Sequence, residues 1–390
     1  MKEGSPEVSV VMPCLNEADT LGTCIEKART ALQEHAIAGE IVVADNGSTD
    51  GSREIALGAG ARVIDVKQRG YGSALMAGIE AARAPLVIMG DADDSYDFRQ
   101  IPRFVDRLRQ GYDLVQGCRL PAGGGQVLPG AMPFLHRWWG NPMFSALARG
   151  WFGAPIHDVY CGMRGFRKDF QQSLEQRCTG MEFATEMIIK ASLRNAHIGE
   201  VPITLHPDGR RSYPPHLRTF RDGWRTIRFF LLFSPRWLFL VPGLVMMLLG
   251  LLGYLIAMPG LTIGGISFDL HTLLFASLAV IGGYQAVWFA LLTKMFGMAE
   301  GFLPADARVT RLFSIFDLEK GLVLGTTLAL AGGVLLVLAI QQWVAVDFGA
   351  LDYPRTMRFV IPGVMLTAVG IQTVLSSFFV SILGLQRAHH

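Results

Sequence analysis

Pro85-Leu-Val-Ile-Met89 runs directly into Gly90-Asp91-Ala92-Asp93-Asp94. A short apolar run bounded by turn formers reads as a strand buried on both faces. Two carboxylates one residue apart stand at its carboxyl end. On either side of it, β-branched runs alternate with helical patterns. Strands are predicted at Val8–Met12, Ile41–Ala44, Arg62–Asp65, Leu86–Met89 and Asp113–Gln116. Helices are predicted over Ala18–Gln33, Gly51–Ala59, Ser73–Ala82 and Ile101–Gln110. Such alternation implies an α/β domain with a mostly parallel sheet and helices on both faces. In sheets of this kind ligands sit beyond the carboxyl ends of the strands. Those ends carry Pro13-Cys-Leu-Asn16-Glu17, Asp45-Asn46-Gly-Ser-Thr-Asp50-Gly51, Arg69-Gly70-Tyr-Gly72 and the Asp91-Ala92-Asp93 turn. One such loop would be an ordinary turn, because Asn, Gly, Ser and Asp are the usual turn formers. Four in succession on one sheet edge read as a site.

Composition divides the chain. Charged residues make up 17% of its 390 residues and hydrophobic ones 51%, with a mean hydropathy of +0.33. That is too apolar for a wholly soluble protein and excludes intrinsic disorder. Charges number 53 in the first 235 residues and 15 in the last 155. The formal net charge of +2 argues against a histone-like protein. Five cysteines, with no C-x-x-C pair, suggest neither a disulfide framework nor a zinc site. All five lie in the charged part, as expected of a reducing cytosolic domain. No cleavable leader is read at the N-terminus.

Four apolar stretches follow, at Trp237–Met258, Leu270–Leu292, Leu322–Ile340 and Phe359–Leu383. Each approaches the roughly 20 residues of a spanning helix. Lys294, Arg308, Arg311 and Lys320 lie between the second and third stretches, which places that loop and both termini in the cytoplasm. Arg355 and Arg358 in the third connection run against the rule. None of the four stretches has a charge at its middle, so an anchor or lipid-handling element is expected rather than a pump. Residues 210–235, rich in arginine and interleaved with Tyr213, Leu217, Phe220, Trp224, Ile227 and Phe230, read as an amphipathic helix at anionic headgroups. A nucleic-acid patch is disfavoured there because the segment runs into a span. The expected organisation is a cytoplasmic catalytic domain over 1–209, a juxtamembrane segment over 210–235 and a membrane domain over 236–390.

Hard divalent cations take oxygen ligands, and Mg²⁺ commonly uses one or two carboxylates plus substrate phosphates. Asp91 and Asp93 suit Mg²⁺ or Mn²⁺ on that ground; an isolated D-x-D would more often be a solvated turn. The chain has no G-x-x-x-x-G-K-[ST], and the first loop has no G-x-G-x-x-G, which disfavours Walker-type and dinucleotide sites.

Together, Val10-Val-Met-Pro13, Asn16-Glu17, Asp45-Asn-Gly-Ser-Thr-Asp50-Gly, Arg69-Gly70-Tyr-Gly72, Gly90-Asp91-Ala-Asp93, Gly117-Cys-Arg119, Asp158-Val-Tyr-Cys-Gly162-Met-Arg164, Gly180-Met-Glu182 with Glu186, and Glu200-Val-Pro-Ile203 resemble the inverting family-two glycosyltransferases of the GT-A fold. The branch resembled is that of polyprenyl-phosphate glycosyltransferases, similar to dolichol-phosphate mannose and glucose synthases. Asn46 stands where members usually carry a second acid, and Asp94-Ser95 where many have a Leu-Gln pair.

The resemblance implies a UDP- or GDP-linked sugar as donor, with Pro13, Asn16, Glu17, Asp45, Asn46, Asp50, Arg69, Gly72, Asp91 and Ala92 on the donor side. It implies a metal on Asp91 and Asp93, and a polyprenyl (undecaprenyl or dolichyl) phosphate as acceptor. Asp158, Asp93 and Arg119 form the expected catalytic set, Asp158 either orienting the acceptor or acting as a weak base. Arg119, Arg137, Asn141 and Arg164 are candidates for the acceptor phosphate, since the arginine fork fits phosphate. Glu182 and Glu186, four apart on one helix face, either position the sugar or pair with arginines. The aromatics of Leu128–Phe152 suit a membrane interface, a core helix being the alternative. An inner-membrane location is expected, and a single hexose per lipid because no Q-x-x-R-W element is present to hold a growing polymer. The resemblance implies inversion at the anomeric carbon, and a homo-oligomer is an open expectation. Two other readings stay open. One is a processive polysaccharide synthase, disfavoured by the absence of Q-x-x-R-W. The other is a non-catalytic sugar-nucleotide or lipid-translocating protein.

Overall fold

A computed structural model describes residues 5–212, 219–301, 303–309, 311 and 317–385. Tyr213, Leu217 and Arg218 of the basic segment lie outside the described residues. The chain forms two compact units, Met1–Phe230 and Leu231–His390.

The first unit is built on a seven-stranded sheet. Its strands are β1 (Val8–Cys14), β2 (Gly39–Asp45), β3 (Arg62–Asp65), β4 (Leu86–Met89), β5 (Leu114–Cys118), β7 (Arg164–Arg167) and β8 (Ile198–Pro202), in the order β3-β2-β1-β4-β7-β5-β8. The short β6 (Gln126–Val127) and β9 (Thr204–Leu205) pair beside it. All neighbours are parallel except β7, which runs antiparallel to both β4 and β5. This reversed strand was not foreseen from the sequence; its Arg164-Gly-Phe-Arg167 carries none of the apolar run that marks the others. Val8, Val10, Val11 and Met12 of β1 are fully buried, as expected of a central strand covered on both faces.

Helix α1 (Leu21–Glu34) buries Leu21, Cys24, Ile25, Ala28, Ala31 and Leu32, a stripe at helical spacing. α2 (Ser52–Gly58) and α3 (Tyr71–Ala81) follow β2 and β3. α4 (Ile101–Arg109) buries Ile101, Phe104, Val105 and Leu108 in the same way. Then come α5 (Asn141–Phe152), α6 (Lys168–Ser173), α7 (Glu182–Leu193) and α8 (Thr219–Leu232). Phe230 of α8 is fully buried against Phe144 and Phe152 of α5, so part of the aromatic segment is core.

Chain order leaves β1 toward β2 and β3, then returns to place β4 on its other side. That reversal is the switch point where a crevice opens beyond the strand ends. The loops after β1 and β4 flank it, and the register pairs Cys14 with Asp45 and Asp45 with Asp65, so the β1, β2 and β3 ends are level.

Among the described residues the second unit contains four helices long and apolar enough to span a membrane: Arg236–Ala257, Leu270–Ala299, Leu318–Val344 and Tyr353–Leu383. The first matches its predicted stretch to within a residue at each end, and the other three extend beyond theirs. Glycines allow close helix approach, as in other membrane bundles. A Cβ on Gly250 would lie 2.7 Å from the Ala276 carbonyl oxygen, and one on Gly325 2.8 Å from that of Gly370. Arg358, which ran against the loop-charge rule, is paired with Asp269 at 2.8 Å and donates to the Met258 carbonyl.

Candidate active site

The β1 and β2 loops are knitted into one surface by side chains that bond backbone. Asn16, in the left-handed region (φ 58°), accepts from the Thr49 amide at 2.9 Å, and its own amide donates to Ser48 Oγ. Asp50 accepts from the Ala18 amide at 2.9 Å and from Ser52 at 2.6 Å. The Glu17 amide donates to Ser52 Oγ. Asp45, buried, accepts from the amides of Gly47 and Ser48. Asn46 donates to the carbonyls of Val66 and Gln68 and accepts from the Gly70 amide at 2.7 Å. An acid there could accept from Gly70 but could not donate to two carbonyls, so the amide suits this loop. It pins the turn carrying Arg69, which is itself exposed. Gly70 (φ 137°) and Gly72 pack against the Thr179 and Cys178 carbonyls, where any side chain would overlap.

The metal-type carboxylates lie beside this surface. Asp91 accepts from the Tyr71 hydroxyl at 2.8 Å. Burial, reinforced by the Asp93 charge, pushes its carboxyl up to about 6. Asp93 accepts from the Ser95 amide and hydroxyl, the latter at 2.6 Å, while Ala92 gives its carbonyl to Thr20. Asp94, in the left-handed region (φ 61°), is held by Lys27 at 2.7 Å.

The arginine that answers these acids was not foreseen. Arg210 donates to Glu17 at 2.7 Å and reaches Asp93 at 3.4 Å and Asp208 at 3.5 Å. The Gly209 amide bonds the Asp93 carbonyl, and those of Arg211 and Ser212 bond Asp19. Arg210 therefore belongs to the site rather than to a membrane-facing basic run. Burial lifts the Glu17 carboxyl to about 7 against the pull of Arg210. Its partner lies 193 residues away in sequence, a separation no spacing argument reaches.

Among the described residues no group of three or more His, Cys, Asp or Glu side chains surrounds a metal-sized point. Asp91 and Asp93, the pair expected to hold an ion, would leave most of its coordination to other ligands. That fits a hard cation whose remaining ligands are diphosphate and water, and misfits a soft, fully protein-ligated ion.

Beyond the end of β5, Arg119 and Asp158 meet in a fork. Arg119 Nε donates to Asp158 Oδ2 at 2.7 Å, Nη2 to Oδ1 at 2.8 Å, and the Arg119 amide to Oδ2 at 3.0 Å. Asp158 is completely enclosed. Three of its roughly four acceptor positions are taken by Arg119, so Asp158 holds the direction of that side chain while, among the described residues, one position on Oδ1 stays open. Tyr96, also missed by sequence reasoning, links the fork to the carboxylate turn. Its hydroxyl accepts from the Gly162 amide at 2.9 Å and lies 3.4 Å from Arg119 Nη1. A Cβ on Gly162 would stand 2.5 Å from Asp91 Oδ2, so the Asp158–Gly162 loop packs directly on the metal-type carboxylate.

Two expectations are corrected. Arg164 does not face a phosphate: it is fully buried and donates to the carbonyls of Cys161, Val159 and Ala184. Glu186 does not face a sugar: it accepts from the Arg177 and Cys178 amides and pairs with Lys190 at 2.9 Å. Both shape loops instead. Glu182, one turn earlier, is partly exposed and 4.0 Å from Arg225. Arg137 lies on a wide π-type turn, His136–Gly140, with its guanidinium over Trp138 at 5.3 Å. Its Nε is enclosed without a hydrogen-bond partner among the described residues. Asn141 is buried, its amide on the Met132 sulfur at 3.3 Å. Phe134 and Trp139 are each 70% exposed, so the face beyond Arg137 is apolar and uncovered.

A sheet that runs parallel through a switch point, takes one reversed strand and closes with a parallel one is the GT-A arrangement. With four spans behind it, this is a membrane glycosyltransferase. Residues 9–174 match the glycosyl transferase family 2 profile, and residues 291–384 match that of the family 2 C-terminal transmembrane region. A low-salt glycan biosynthesis hexosyltransferase, Agl6, from Haloferax volcanii is 37% identical over 97% of this chain and 90% of its own length. A dolichyl-phosphate hexose transferase from the same organism is 36% identical over 50% of this chain and 82% of its own. An undecaprenyl-phosphate 4-deoxy-4-formamido-L-arabinose transferase from Pseudomonas aeruginosa is 32% identical over 43% of this chain and 49% of its own. The chain belongs to glycosyltransferase family 2, in its polyprenyl-phosphate branch.

Proposed function

We propose that the protein transfers one hexose from a UDP- or GDP-linked sugar to a polyprenyl phosphate on the cytoplasmic face of the membrane, inverting the anomeric carbon. The observation that carries this reading is the meeting of two chemistries at one edge of the sheet. Carboxylates in metal-type spacing follow β4, and a buried, carboxylate-held arginine follows β5, with Tyr96 and Gly162 packed between them. The relatives' names, which speak of hexose transfer and of dolichyl and undecaprenyl phosphates, support the same reading.

On the donor side, Asp45, Glu17 and the knitted loops would hold the base and ribose. Asp91 and Asp93 would hold Mg²⁺ or Mn²⁺, which, when bound, supplies neutralisation of the leaving diphosphate. Arg210, already between Glu17 and Asp93, is placed to add positive charge at the same end. On the acceptor side, the lipid phosphate is an anion at neutral pH and needs no strong base. Orientation and charge matter more. Arg119, fixed by Asp158, would present its remaining Nη1 edge to that phosphate. The enclosed Nε of Arg137, without a partner among the described residues, is a second donor suited to the same group. The exposed aromatics around Trp138 and Trp139 would seat in the headgroup layer, where a lipid phosphate lies.

The test is product analysis. Membranes containing the protein are supplied with UDP- and GDP-hexoses, a polyprenyl phosphate and Mn²⁺. Mass spectrometry should show a single hexose-sized addition to the lipid, and NMR the inverted configuration. A ladder of longer products would favour the processive synthase, and no transfer from any hexose donor would favour a non-catalytic protein.

A further inference from the structure

The Arg119–Asp158 fork depends on a peptide that has no regular secondary structure, so something outside it must fix its position. Three consecutive residues there are anchored by side chains from three different elements. The His157 amide donates to Glu200 Oε1 at 2.5 Å, from β8. The Asp158 carbonyl accepts from Gln116 Nε2 at 3.0 Å, from β5. The Val159 amide donates to Ser145 Oγ at 3.1 Å, from α5. Glu200 also bonds the His157 ring, with Nδ1 2.7 Å from Oε2. It is the only charged member of the three, and the only one that holds both the backbone and the side chain of a single residue there; Gln116 adds a second backbone bond, to the Cys161 carbonyl at 3.0 Å.

Strand register explains why Glu200 can do this. Gln116 of β5 pairs with Glu200 of β8, and Arg119 follows three residues beyond Gln116. The strand that delivers Arg119 and the strand that delivers Glu200 therefore run side by side to the same edge. From these neighbouring strands Glu200 holds the His157 amide and Gln116 the Asp158 carbonyl. Glu200 is largely buried, with 13% of its side chain exposed, so its hydrogen bonds meet little competition from water.

We propose that Glu200 is a positioning residue for transfer: by clamping His157 it sets the Asp158 carboxylate and, through it, the aim of Arg119 at the acceptor phosphate. The inference rests on the acceptor role proposed above for Arg119. Glu200 touches no reacting group, so its loss shifts use of the acceptor and leaves the donor loops as they are.

The experiment uses the full-length protein in nanodiscs, with UDP and GDP plus Mn²⁺ as binding probes and a polyprenyl phosphate as varied acceptor. Glu200→Ala should raise the acceptor KM roughly tenfold, the lower end for loss of a charge-assisted hydrogen bond. Nucleotide affinity should stay within about twofold, a split that a merely structural defect would not give. Glu200→Gln should largely restore the acceptor KM, because its amide oxygen accepts from the His157 amide and its NH₂ can donate to a neutral ring nitrogen. If Glu200→Ala does not fold, Glu200→Asp carries the test. Its side chain is one methylene too short to keep both bonds, and the acceptor KM should rise severalfold. Arg119→Ala is the control. Should it raise the acceptor KM while the folded Glu200 variants do not, the positioning role is overturned and the acceptor assignment stands. Should it leave the acceptor KM unchanged, both readings fall.

Discussion

The two sides of the crevice are held together differently. On the donor side, loops after β1, β2 and β4 are stitched by short polar side chains to backbone amides. Of the acids that remain, Glu17 and Asp93 share one arginine, Arg210, and Asp91 takes the Tyr71 hydroxyl. On the proposed acceptor side, one buried fork, Arg119 with Asp158, stands beside a peptide clamped from three elements. The proposed donor side has excess negative charge, which a bound cation would complete. The acceptor side has its charges balanced internally, which gives a fixed direction rather than a strong field. A site that joins a metal-bound diphosphate to a free phosphate needs both.

The largest effect should come from the carboxylates. Asp91→Asn or Asp93→Asn is expected to lower kcat about 100-fold or more, because charge on the leaving diphosphate goes uncompensated. Excess chelator should do the same to the wild type, and undiminished turnover in chelator would remove the metal from the account.

Burial ranks Arg164 next. Arg164→Met strands three buried carbonyls, and the loss of stability should be on the order of 3 kcal/mol or more, since each unsatisfied buried group costs about 1–3 kcal/mol. It should appear as a lowered thermal midpoint, with the acceptor KM of the folded protein little changed. A selective rise in acceptor KM without loss of stability would return Arg164 to the phosphate site.

How much of this was readable in the sequence follows the same division. The donor side was legible because its residues act locally. Asp45, Asp50 and Asn16 sit in turns whose chemistry is written in consecutive letters, and Asp91-Ala-Asp93 ends an obvious strand. The acceptor side was legible only by resemblance. Arg119 and Asp158 are 39 residues apart, and no pattern in the letters says that they meet. Arg164 and Glu186 were misjudged for a related reason: a charged residue is usually exposed, and only the folded chain shows carbonyls or amides waiting for it. Arg210 was hidden by its neighbours, since a run of arginines before a span reads as a membrane contact. Strand β7 was missed because two of its four residues are arginines.

Smaller substitutions sharpen the contrast where the sides touch. Gly162→Ala puts a methyl against Asp91, and overpacking of this kind costs typically 1–3 kcal/mol. Mn²⁺ affinity, measured without turnover, should fall about tenfold while the thermal midpoint moves by only a few degrees. Unchanged Mn²⁺ affinity would mean that the loop yields and the sides are independent there. The mildest effect is expected at the exposed aromatics. Trp138→Ala and Trp139→Ala should raise the KM for a long polyprenyl phosphate a few-fold and leave that for a short soluble analogue unchanged. An equal rise for both acceptors would make this face part of the phosphate site rather than of the membrane contact.

The central claim is that donor and acceptor are recognised by separate sides of one crevice, and Arg119→Ala tests it most directly. Nucleotide affinity with Mn²⁺ and the KM for polyprenyl phosphate are measured on the same preparation. The account predicts an acceptor KM raised about 10- to 150-fold, the range for a charged hydrogen bond, with nucleotide affinity unchanged. An equal fall in nucleotide affinity would place Arg119 on the donor side and contradict the account.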